Sequence, residues 1–93
     1  MKKIEKKLDS IQRILKLAIE ITNNNKATVF VEYSGHINCI SIRAYWQGWT
    51  SNTDCDYKVD VYFDIYSEDV LEKQLQGIIN KLEEVQKNET NSL

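Results

Sequence analysis

The sequence predicts an α+β fold in the order α-β-β-β-α, a three-stranded antiparallel sheet with the N- and C-terminal helices packed on one face. Three observations carry this expectation. A segment near each end repeats apolar residues at helical spacing, the middle alternates apolar with polar residues, and one aperiodic polar stretch divides that middle. At 93 residues, 42% hydrophobic and 28% charged, the chain is one domain near the low end of what sustains a core unaided. The expected boundaries are helix 2–22, hairpin 27–45, loop 46–56, strand 57–65, helix 67–87 and a frayed tail 88–93.

The first helix follows from Ile4, Leu8, Ile11, Leu15 and Ala18, which lie four and three apart in turn and make one stripe. Ile14, Leu17, Ile19 and Ile21 widen that stripe in the second half, where deeper burial is expected. Asn23-Asn24-Asn25 ends the helix, because asparagine tolerates the left-handed backbone of a C-cap.

The hairpin comes next. Val29, Val31 and Tyr33 alternate with Thr28, Phe30 and Glu32, and Ile40, Ile42 and Ala44 alternate with Ile37, Cys39, Ser41, Arg43 and Tyr45. Gly35 is expected to supply the positive φ of a two-residue turn, either Ser34-Gly35 or Gly35-His36. Val29 then pairs with Ile40 or with Ile42. The choices differ by two residues, so every side chain keeps its face in both.

Trp46 to Asp56 is polar and aperiodic, and reads as a connection across the top of the sheet. Strict alternation resumes with Tyr57, Val59, Val61, Phe63 and Ile65 on one face. Ser67 is the N-cap of the last helix, with Glu68 and Asp69 in its dipole-favoured first turn. Leu71, Leu75, Ile78, Leu82 and Val85 form its stripe, and Gly77 in mid-helix suggests close approach to a neighbouring backbone.

Packing both helices on the Val29/Ile42/Val61 face leaves the opposite face, with Phe30, Ile37, Cys39, Arg43, Tyr45 and Tyr62, too apolar for plain solvated surface. One helix on each face is the alternative, which would make that patch ordinary core. Aromatics and arginine are enriched where binding energy concentrates. The predicted partner-binding residues are therefore Phe30, Arg43, Tyr45, Trp49 and Tyr62, with Asp54 and Asp56 from the loop. A homodimer through part of this surface is expected. Trp46 continues the Ile40-Ile42-Ala44 face and is expected in the core, whereas Trp49, beyond Gly48, is open to either role.

Chemistry finds little support. His36 and Cys39 point to opposite faces of a strand and form no thiol–imidazole pair. Asn52-x-Asp54-x-Asp56 begins like a calcium loop, but Tyr57 replaces the required glycine and Phe63 the bidentate glutamate. No zinc set or phosphate loop is present in the sequence, so no enzyme, metal or cofactor is expected. The net charge of −2 argues against direct nucleic-acid binding. The run Asp54, Asp56, Asp60, Asp64, Glu68, Asp69 could imitate a phosphate backbone, although a solvated face that discourages edge pairing is the preferred reading. Glu5, Asp9 and Arg13 interrupt any signal-peptide core, and no apolar run approaches the ~20 residues that span a membrane. A cytoplasmic protein with reduced thiols is expected, with a Cys39–Cys55 disulfide as the alternative.

Tyr33-Ser34-Gly35-His36, the strand after it and Gly48-Trp49 resemble a pattern in small bacteriophage and mobile-element proteins. The resemblance covers mainly residues 29–65, and the Lys-, Asn- and Ile-rich composition is similar to that of proteins from AT-rich genomes. It implies an accessory protein of a mobile element, a class that includes anti-CRISPR and other anti-defence inhibitors. Such proteins act in the host cytoplasm by binding a host protein, for instance a CRISPR effector, without chemistry of their own. The alternative from another class is a small-ligand or nucleotide binder, with Arg43, Tyr45, Trp46 and Trp49 lining a pocket at an oligomer interface.

Overall fold

The structure, a computed structural model, describes the backbone of residues 2–91 and the side chains of residues 7–87. Helix α1 (Lys2–Asn24) leads into strands β1 (Thr28–Ser34), β2 (Cys39–Tyr45) and β3 (Tyr57–Tyr62), and helix α2 (Glu68–Asn91) closes the chain. The sheet is antiparallel in the order β1-β2-β3. Both helices lie on one face, as predicted. Ile14, Leu17 and Ile21 of α1 meet Leu71, Leu75, Ile78 and Leu82 of α2 over Ile40, Ile42 and Val61, all buried.

Three strands between the helices make α1 and α2 run in the same direction, so their N-termini are neighbours. Lys7 of α1 pairs with Glu68 at the start of α2 at 3.2 Å. Further along, Arg13 donates to Glu83 at 2.8 Å and Gln86 to Glu20 at 3.0 Å. The partly buried Lys7 ammonium thus meets a carboxylate placed at the positive end of the α2 dipole.

The hairpin register differs from both predicted ones. Val29 pairs with Ala44 and Ser34 with Cys39, so the connection has four residues, Gly35 to Asn38. Gly35–Ile37 form a 3-10 turn, and the left-handed residue is Asn38, at φ 50°, rather than Gly35. Asparagine tolerates that region because its short amide bonds locally. The shift is again two residues, so the predicted faces stand, except that Ile37 lies in the turn and not on a strand.

β3 also stops earlier than residue 65. The Phe63 N–H still donates to the Asn38 carbonyl at 3.0 Å, but β2 starts at Cys39 and offers no partner beyond it. Ile65, predicted on the core face, is exposed. Ser67 caps α2 as predicted, accepting from the Val70 N–H at 3.4 Å. That helix runs on to Asn91 through most of the predicted frayed tail, of which residues 92 and 93 lie outside the described residues. Gly77 approaches no other backbone: a methyl group there would enter open space.

Candidate functional site

The face of the sheet turned away from the helices carries alternate residues of each strand. Cross-strand pairing sets Phe30 against Arg43, Glu32 against Ser41, Arg43 against Lys58, and Cys39 against Tyr62. Because β2 is central, its side chains on this face are flanked from both sides. Cys39 is buried and Tyr45 is only 7% exposed, while Phe30, Arg43 and Tyr62 are half-buried and Glu32, Lys58 and Asp60 exposed.

Phe30, Arg43 and Tyr45 form one cluster. The Arg43 guanidinium lies 5.0 Å from the centre of the Phe30 ring, and the Tyr45 ring meets Phe30 edge-on at 5.6 Å. A guanidinium over a ring face is attracted by the ring quadrupole, which favours keeping this arginine on Phe30. Tyr45 therefore serves as the floor of the cluster and not as an exposed contact, a correction to its predicted role. Its burial comes from the central strand and the neighbouring Phe30.

Trp49 stands at the same end of the sheet. Its backbone N–H donates to Thr28 Oγ1 at 3.1 Å, and the residue is 53% exposed. Gly48 makes this possible by taking φ 96°, with the Lys26 carbonyl only 3.3 Å from where a Cβ would sit. Tyr62 lies apart from the cluster, across β2 beside Cys39. Its phenol is pushed above its ordinary value of 10.0, first by the Cys39 charge and then by that of Asp60. Between Tyr62 and Arg43 an open groove of about 310 Å³ runs over Cys39 and Ser41, walled by Glu32 on one side and Lys58 and Asp60 on the other. The alternation of β1 and β3 already placed these last three residues on this face.

The loop carboxylates divide. Asp54 is exposed, but Asp56 accepts from the Trp46 N–H at 2.8 Å while its own N–H donates to the Ala44 carbonyl at 2.8 Å. Asp56 thus closes the loop at its base, a structural task its sequence context did not reveal. The rest of the acidic run is also dispersed: Asp64 bonds Asn38 and Glu68 pairs with Lys7, so no line of free carboxylates forms.

Trp46 packs against the core as predicted, stacked on Tyr57 at 5.9 Å, with the Lys81 ammonium 5.8 Å from its ring centre. Within one chain Trp46 faces the helices while Arg43 lies on Phe30 across the sheet, so these two side chains lie on opposite faces. Cys39 and Cys55 are both free thiols. Among the described residues there is no cluster of three or more metal-ligating side chains, and no helix long and apolar enough to cross a membrane. Compared with protein-family models, curated proteins and solved structures, the chain matches none.

Proposed function

We propose that the protein acts by binding another protein through the open face of its sheet. The observation that supports this reading is the Phe30–Arg43–Tyr45 cluster on the face opposite both helices, continued by Trp49 at one end and the charged groove at the other. A half-buried arginine resting on an aromatic ring has part of its side chain placed before a partner arrives, which favours a binding hot spot. The resemblance to phage and mobile-element accessory proteins makes a host defence protein, such as a CRISPR effector, the partner to try first.

The test combines an interference assay in cells carrying an active CRISPR effector with calorimetry against whatever effector is inhibited. Arg43→Ala and Trp49→Ala should each weaken binding by ~2 kcal/mol or more while leaving the melting temperature nearly unchanged. Ile42→Ala, in the fully buried core, should instead lose ~2–4 kcal/mol of folding stability. Wild-type binding by both surface variants, or melting as early as Ile42→Ala, would remove this face from the function.

A further inference from the structure

We infer that two copies of this chain pair through the free edge of β1, antiparallel and centred on Val31, joining their sheets into one of six strands. The surface involved is the strand edge and the outer flank of α1, and at the seam it takes in Glu32 and Arg43 from the margin of the open face while leaving Trp49 outside it.

Strand β1 ends the sheet, and its backbone shows which groups are unpaired. The Val29 N–H donates to Thr22 Oγ1 at 3.0 Å, so it points away from β2 but is already satisfied within the chain, which leaves Val31 and Tyr33 as the open N–H donors of this edge. By the alternation of an antiparallel ladder, the N–H and C=O groups of Val31 and Tyr33 point outward as well. The two edges of this sheet are unlike. β3 carries Lys58 and Asp60, charges of the kind that discourage strand addition, whereas β1 reads TVFVEYS with a single charge, Glu32.

Above that edge the apolar surface continues onto α1. Leu8, Leu15, Ile19 and Tyr33 are 46 to 57% exposed, and Leu15 and Ile19 border an open groove of about 340 Å³ against Val29, Phe30 and Val31. A two-fold axis through Val31 passes close to Leu15, so the helix flank becomes self-complementary along with the strand. Leu15 then meets Leu15, and Ile19 meets Ile11, of the other copy.

Charge selects the same arrangement. Centring on Val31 sets Phe30 opposite the second copy's Glu32, on the open face. Arg43 already lies across Phe30, toward that edge, and pairs with no carboxylate among the described residues. Glu32 is exposed and pairs with no cation among them. Within one chain the two are diagonal neighbours that form no ion pair, whereas across the seam each Glu32 reaches the other copy's Arg43. Two symmetric pairs result.

Sedimentation velocity of the full chain over a concentration series should show a dimer, and a monomer throughout would overturn the proposal. Leu15→Glu, away from the open face, should raise the dissociation constant roughly a hundredfold, and an unchanged dimer would overturn it too. Glu32→Arg and Arg43→Glu place like charges at the seam and should each be largely monomeric. Mixed one to one, they restore opposite charges at both pairs and should form a heterodimer, which also shows that the single variants are folded. A mixture that remains monomeric, while its components melt as wild type does, would exclude this register.

Discussion

Asn38 donates from Nδ2 to Asp64 Oδ1 at 2.9 Å, and that bond ties the hairpin turn to the segment leaving β3. The same side chain accepts from the Tyr33 hydroxyl at 2.7 Å, and the Asn38 backbone holds φ 50°. One residue therefore sets the turn, closes the end of β1 and marks where β3 stops. Asn38→Ala forfeits the amide and places an unsuited residue in the left-handed region, at a combined cost of ~2–3 kcal/mol. Asn38→Gly keeps the backbone and loses only the side-chain bonds, at ~1 kcal/mol. Urea denaturation of both variants checks the order, and equal losses would mean the backbone conformation contributes nothing.

Two glycines should respond in opposite directions to one added methyl group. Gly77 sits in an exposed helical turn with open space around it, so Gly77→Ala should stabilise the fold by ~1 kcal/mol. Gly48, at φ 96° and 3.3 Å from the Lys26 carbonyl, leaves no such room. Gly48→Ala should destabilise by ~1–2 kcal/mol and loosen the loop that presents Trp49. Thermal melts of the two variants side by side, with Trp49 fluorescence as a local reporter, settle both.

Tyr57 gives the fold an alkaline limit. Burial beneath Trp46 pushes its phenol above the ordinary value of 10.0. The unfolded chain therefore releases this proton at a lower pH than the folded one, and ionisation favours unfolding. The stabilisation is complete below the unfolded value and is lost as pH rises from there through the folded value. Denaturation midpoints should be level on the acid side of 10.0 and fall beyond it. Tyr57→Phe should flatten part of that fall, and an identical alkaline profile for the variant would show that burial of this phenol has no energetic weight.

Much of the architecture was legible in sequence because it depends on period alone. A stripe such as Leu71, Leu75, Ile78, Leu82 has one geometric solution, and so does the alternation through Ile40, Ile42 and Ala44. Together they determined the element order, the face of each strand and the core position of Trp46. Every error in register was a multiple of two, to which alternation is blind. The turn length depended instead on Asn38 finding Tyr33 and Asp64, a partnership spanning 26 residues that no local pattern encodes. Tertiary structure likewise decided that Asp56 closes a loop and that Tyr45 lies beneath Phe30. It also left the outer flank of α1 uncovered beside a free strand edge. Exposure is a property of what packs around a residue, and periodicity records only which way that residue points.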